Sequence, residues 1–223
     1  MSASSKGRAG ESLISKAIRS VEGPSFLLND VTFIDTKNGM SHQIDHILIH
    51  PHGVFVFESK NYSGTITVNE NGRWTQSYRS VTRPIFNPLY QNKTHARMVN
   101  KLLEKHYEVI PVVVYVQNNA PYVADDNVIN REDVALFVES YPYQKLITAA
   151  QMQVIYEVLI SYNAKTSKKE HIENIAYLKQ YRKSSQQEMA YAMEQGHCPW
   201  CEEKIIIEGQ SYRCSHCNFH FHL

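Results

Sequence analysis

A mixed α/β fold, with a sheet flanked by helices and a small appended module, is what this chain predicts, and three observations carry that prediction. Residues 8–22 place Leu13, Ile14, Ala17, Ile18 and Val21 on one helical stripe. Apolar stretches of strand length, bounded by turn-forming residues, follow between Phe26 and Lys60 and return at Val109–Gln117. All four cysteines lie beyond residue 197, which sets the C-terminus apart.

The elements read in order as follows. The first helix ends at Gly23-Pro24. Strands are expected at Phe26–Ile34, His42–His50 and Val54–Lys60, with Asn38-Gly39 and Pro51-His52-Gly53 supplying turns. Thr65–Val68 and Arg73–Tyr78 flank Asn71-Gly72, a hairpin signal, so Trp74 reads as a packing residue. Asn87-Pro88 caps and opens a helix to about Tyr107, with Leu89, Ala96, Val99, Leu102 and Leu103 inward. Val109–Gln117 is apolar throughout, as expected of a strand covered on both faces. Val128-Ile129 suggests a short strand, Asn130 a cap for a helix to Ser140, and Thr148 a cap for another. A basic linker, 164–169, leads to a helix over His171–Met193.

At 223 residues, 43% of them hydrophobic and 11% aromatic, the chain suits one packed core with an appendage and is not disordered. The expected division is 1–163, 164–195 and 196–223. No apolar run approaches the roughly 20 residues needed to cross a bilayer, and Met1–Lys6 lacks a secretion signal. A soluble, cytoplasmic protein with no membrane partner is expected. A net charge of +1 does not point to a polyanion. Its distribution is more telling: between Arg73 and Lys105 the chain carries Arg73, Arg79, Arg83, Lys93, Arg97, Lys101 and Lys105 against a single acid, Glu104. A second basic cluster spans Lys165–Lys183. Each reads either as a phosphate track or as a solvated helix face.

Asp45, Glu58 and Lys60 put charge inside otherwise apolar strands, and an unpaired buried charge costs several kcal/mol. Strand alternation makes Glu58 and Lys60 project together above Val54 and Val56. Asp45 joins their face if the connection has two or four residues, and faces away if it has three. We expect an even loop or a compensating bulge. Two converging carboxylates form a hard oxygen site suited to Mg2+ or Mn2+, and a neighbouring lysine can orient water and offset phosphate charge. Those are the parts of phosphodiester hydrolysis.

Asp45, a strand and turn, then Glu58-Ser59-Lys60 resembles the PD-(D/E)XK nuclease signature. Gly10-Glu11, Gln43-Ile44-Asp45-His46, Gly53-Val54-Phe55-Val56, Lys60-Asn61-Tyr62-Ser63-Gly64, Trp74 and Asn87-Pro88-Leu89-Tyr90-Gln91 narrow the resemblance to the NERD (nuclease-related) domain, over roughly residues 8–118. The resemblance implies a restriction-endonuclease-like mixed sheet flanked by helices. It implies that Asp45 and Glu58 ligate Mg2+ or Mn2+, that Glu11 helps hold the metal or its waters, that Lys60 is the catalytic lysine, and that Gln91 faces the cleft. Ile44 stands where the nominal motif has proline.

The C-terminal module carries Cys198-Pro199-Trp200-Cys201 and, twelve residues on, Cys214-Ser215-His216-Cys217. Paired Cys-x-x-Cys knuckles let Cys198, Cys201, Cys214 and Cys217 converge tetrahedrally on one Zn2+, and a segment this short needs that bond energy to fold. The spacing resembles a zinc ribbon, with Ile205–Ile207 and Tyr212 in its hairpin. His197, His216, His220 and His222 read as surface groups beside it. The readings are then a metal-dependent nuclease acting on nucleic acid, DNA in the first place; a catalytically weak or inactive nucleic-acid-binding module; or a protein in which Glu58–Lys60 is only a salt bridge. A homodimer is the expectation for cutting both strands. DNA against RNA, sequence preference and end against internal cleavage stay open.

Overall fold

The computed structural model describes residues 3–36, 39–69, 72–117, 119–120, 123, 125–143, 145–164, 166, 169–177, 180, 193–197, 204–208, 211–213 and 220–222. The chain divides into two compact units, Met1–Lys168 and Lys169–Leu223.

The larger unit is built on a five-stranded sheet in the order β1 (Phe26–Ile34), β2 (Ser41–His50), β3 (Gly53–Lys60), β7 (Val109–Tyr115), β8 (Val128–Asn130). The first three strands run antiparallel, and β3–β7 and β7–β8 are parallel, so the sheet is mixed. One face buries Ile47, Ile49, Val54 and Val56 against α2 (Pro88–Leu102) and α4 (Ala149–Tyr162). The other buries Leu48, Phe55, Phe57, Val112 and Val114 against α1 (Ala3–Ile18) and α3 (Val134–Glu139). Burial on both faces explains the unbroken apolar run of β7. Burying a side chain of this size contributes roughly 1.5–3 kcal/mol, so the alternation along β3 fixes which face carries Glu58 and Lys60.

Between β3 and β7 the chain makes a second, three-stranded antiparallel sheet from β4 (Thr65–Val68), β5 (Trp74–Tyr78) and β6 (Val81–Pro84). Trp74 and Ile66 pack beneath it with Leu89, Val113 and Tyr115. Gly64 makes the entry feasible: its φ is +79°, and a Cβ there would lie 2.1 Å from the Ser77 carbonyl oxygen.

Several boundaries differ from expectation, each for a local reason. Helix α1 starts at Ala3 and ends at Ile18. Helix α2 stops at Leu102, where Glu104 and Lys105 take left-handed φ values of 52° and 62°. The helix expected from Asn130 begins as a 3-10 turn, Arg131–Asp133. Asn130 does not cap it; its Oδ1 accepts instead from Ala120 N at 3.1 Å. Thr148 and Gln151 do form a capping box on α4. Strand β6 was not expected at all.

In the smaller unit, residues 169–177 are helical. β9 (Ile206–Glu208), β10 (Ser211–Arg213) and β11 (His220–His222) form an antiparallel sheet. Cys198, Cys201, Cys214 and Cys217, with His216 and most of 178–192, lie outside the described residues. Among the described residues, no helix is long and apolar enough to cross a membrane.

Candidate active site at the end of β3

Pro51 and His52 alone separate the paired residues His50 and Gly53, a two-residue connection. The β2–β3 register ends at His46 opposite Phe57, and one further step sets Asp45 opposite Glu58. There the ladder opens, and Asp45 Oδ2 accepts the backbone N–H of Ser59 at 2.7 Å. A side-chain carboxylate thus takes the place of a strand carbonyl. The β1–β2 pair also changes face at this point: Leu28 and Ile47 face the α2 side, and three residues on, so do Val31 and Ile44. Asp30, opposite Asp45 at the change, takes a left-handed φ of 49°.

Glu58 and Lys60 project toward α2 and are held there. Lys60 Nζ donates to Glu58 Oε1 at 2.5 Å and to Gln91 Oε1 at 3.3 Å. His95, one turn beyond Gln91, brings Nδ1 to 3.5 Å from Glu58 Oε2. Between them Asn92, fully buried, donates to the carbonyls of Val56 and Val112 at 2.8 and 2.9 Å, pinning α2 across β3 and β7. The helix surface 91–92–95 therefore fixes the position of the ion pair.

The structure brings Glu58, Lys60 and Gln91 into direct contact, and Asp45 joins them through the Ser59 N–H and its electrostatic interaction with Glu58 and Lys60. Glu11 arrives from the other side, on α1, and with Asp45 borders a separate cavity of about 500 Å³. It acts on Asp45 electrostatically. Gly10 lets α1 approach closely, since a Cβ there would lie 2.8 Å from Asn61 Cβ. Among the described residues, no three of His, Cys, Asp and Glu converge closely enough to hold a metal ion.

The charges explain one another. Burial pushes the Asp45 carboxyl up to about 7, helped by the Glu58 and Glu11 carboxylates and opposed by the Ser59 N–H and Lys60. For Glu58, burial pushes upward too, but the Lys60 ammonium and His95 outweigh it and leave the group below its ordinary value. Burial pulls Lys60 down, yet Glu58, Tyr62 and Asp45 raise it above its usual value. Lys60 thus stays an ammonium at neutral pH. It is a donor and a cation there, and not a general base.

Beside Lys60 opens a cleft of about 710 Å³ between the start of α1, residues 59–63 and the β5–β6 hairpin. Lys6, Lys60, Arg79 and Arg83 line it with Tyr62 and Tyr78, and among the described residues no acid does. The basic stretch Arg73–Lys105 is thereby divided: Arg79 and Arg83 face this cleft, whereas Lys101 is paired with Asp35 at 2.7 Å. Sequence reasoning missed Asn92 and His95. The spacing of Gln91 and His95 on one helical stripe was the available signal.

A sheet flanked by helices, with acids and a lysine gathered where two strands part, defines a nuclease-related protein. Residues 6–116 match the nuclease-related domain, NERD, and the chain belongs to that family. It is also 31% identical over 176 residues to the uncharacterized protein pXO1-01/BXA0003/GBAA_pXO1_0003 of Bacillus anthracis, covering 75% of this chain and 82% of that protein. No solved structure matches the chain significantly.

Proposed function

We propose that this protein is a divalent-metal-dependent nuclease that hydrolyses phosphodiester bonds of nucleic acid, DNA in the first place. The observation that carries the reading is the Asp45 carboxyl, fixed by the Ser59 N–H at 2.7 Å one residue from the buried Glu58–Lys60 pair, which stands beside a cleft lined by cations; burial and the Glu58 and Glu11 carboxylates push its pKa upward. A buried acid repelled by like charges is a site that a cation would relieve. Two carboxylates without a third donor suit Mg2+ or Mn2+, which keep several waters, better than a metal that needs a full protein shell. Asp45 and Glu58 would hold the ion, with Glu11 on its waters. Bound there, it would supply Lewis-acid stabilisation of the phosphorus-bound oxygens.

The chain's own groups do the remaining work. Lys60 presents an ammonium beside the open cleft, able to hold a phosphate oxygen and orient the attacking water. Gln91 and Glu58 fix that ammonium at 3.3 and 2.5 Å. The cationic walls would bind the phosphate backbone. Cys198, Cys201, Cys214 and Cys217 would hold one structural Zn2+ in a module that targets the enzyme. Catalysis in a dimer, in the cytoplasm, completes the proposal.

The test is incubation of the purified chain with plasmid, linear duplex, single-stranded DNA and RNA plus Mg2+ or Mn2+, beside Lys60→Ala and Asp45→Ala. Cleavage by the wild type alone is expected. Equal cleavage by all three proteins refutes the assigned site. One observation favours a second reading, a binding module without cleavage: Glu58 has Lys60 at one oxygen and His95 at the other. Salt-sensitive binding with no cleavage under any metal would establish it.

A further inference from the structure

Four large apolar side chains are exposed within one short segment, and two of them, Tyr78 and Val81, line the cationic cleft. Tyr78 is 48% exposed, Val81 64%, Phe86 65% and Tyr90 59%. Single exposed apolar side chains are ordinary on a surface, but several within thirteen residues mark a contact surface. Cations interleave with them: Arg79 lies with its guanidinium 5.3 Å from the Tyr78 ring centroid, and Arg83 stands on the adjoining strand.

Arg83 is fixed in place. Its Nε and Nη2 both donate to Gln76 Oε1, at 3.0 and 2.8 Å. Gln76 is itself 5% exposed and anchored through Nε2 to the Ser63 carbonyl at 2.7 Å. That arrangement consumes one edge of the guanidinium and leaves the other for an acceptor in the cleft. Lys6 is likewise held, by Ser63 Oγ. The cleft thus presents oriented cations and aromatic faces with no acid among the described lining residues.

We propose that the β5–β6 hairpin and the 60–64 segment form a binding cleft for an unpaired nucleic-acid strand, gripping its phosphates through Lys6, Arg79 and Arg83 and stacking its bases on Tyr78. Charge complementarity selects the polyanion. Exposed rings select the unpaired state, because a duplex offers no free base face to a side chain while a single strand does. The cleft reads features that DNA and RNA share. The inference rests on the nuclease reading only in that the cleft opens onto Lys60, which would place the bound strand against the ion pair. It names the substrate class of that same site.

The experiment is fluorescence anisotropy of the full chain in EDTA, so that no cleavage intervenes. The probes are labelled oligothymidylate and oligouridylate of about 15 nucleotides, a length within the site sizes such grooves take, and a duplex of equal length. Tyr78→Ala, Arg83→Ala and the control Arg97→Ala are compared. Arg97 is exposed on α2 away from the lining, and Tyr78 is exposed too, so these changes spare the core. Tighter binding of a single strand than of duplex is expected, with a loss of about tenfold for Tyr78→Ala and Arg83→Ala and less than about twofold for Arg97→Ala. Duplex bound as tightly as either single strand, hairpin variants that bind like wild type, or no binding at all overturns the inference. A parallel cleavage assay with Mn2+ separates the two ideas. Hairpin-dependent strand binding without cleavage sinks the nuclease reading alone, and cleavage indifferent to the hairpin sinks this one alone.

Discussion

Ser59 donates its backbone N–H to Asp45 Oδ2 at 2.7 Å, one residue from the carboxylate of Glu58. The bond fixes an acid at the point where β2 and β3 part. It lowers the Asp45 pKa, yet burial and two neighbouring acids win and hold the group at about 7.

The first prediction follows by linkage. Between the ordinary value of 3.8 and about 7, folded Asp45 keeps a proton that the unfolded chain has lost. Metal-free stability therefore falls as pH rises through that window, and the whole penalty, at most about 4 kcal/mol, is present above it. Asp45→Asn should melt higher than wild type at pH 8 in EDTA, with the gap closing toward pH 4. Differential scanning fluorimetry across that range checks it; a variant that melts lower at pH 8 contradicts the assignment.

Metal loading should invert that order. Ions that need the Asp45 carboxylate displace its proton, so apparent Mn2+ affinity should rise about tenfold per pH unit below 7 and level off above it. Titration calorimetry in two buffers of different ionisation enthalpy would detect the released proton. A pH-independent affinity speaks against Asp45 as ligand. Once Mn2+ is present, wild type should gain melting temperature and Asp45→Asn should not.

His95 Nδ1 stands 3.5 Å from the second oxygen of Glu58, close enough to orient it once a hydrogen bond closes. His95→Ala should cut kcat by about 10–100-fold, the usual effect of losing a group that orients a metal ligand. Its far-UV circular dichroism should be unchanged, and His95→Gln should recover part of the rate. A His95→Ala enzyme with wild-type kcat would show that Glu58 needs no such support.

Asn92 is a stability residue by contrast. Asn92→Leu removes two donors from the Val56 and Val112 carbonyls inside the sheet, and should cost about 2–4 kcal/mol in urea unfolding. Gly64→Ala should cost at least about 1 kcal/mol, since it combines a left-handed backbone with a clash against Ser77. Unfolding midpoints within error of wild type would count against both.

For the C-terminal module, native mass spectrometry should find one Zn2+ per chain, lost in Cys214→Ser. Retention of full zinc by that variant would remove the four-thiolate assignment.

Much of the sheet was legible because its signals are local. The apolar run of β7, the Asn-Gly pair in the sequence between β4 and β5, and the Thr148 cap each state their element within a few residues. Strand β6 was hidden because Val81-Thr82-Arg83-Pro84 is exposed along its whole length and so has no apolar alternation. Its turn, Arg79-Ser80, lacks glycine although Arg79 takes a φ of 54°. Gly7 and Gly10 disguised the first turns of α1; the role of Gly10 there is close approach to Asn61 and not helix breaking. In the site, strand parity announced that Glu58 and Lys60 share a face. The change of face at Asp30 and Asp45, and the grip of Asn92 and His95, depend on contacts between elements far apart in sequence, which no local pattern encodes.

Adjacent strands β3 and β7 are joined by the entire excursion that carries β4–β6 and α2. The hairpin wall of the cleft is consequently part of an insertion hung between two neighbouring strands, while Asp45 and Glu58 sit on β2 and β3 of the sheet itself. Hairpin length and wall composition can drift, or be exchanged by design, without disturbing the frame that gathers the carboxylates, so this architecture lets substrate choice evolve separately from chemistry.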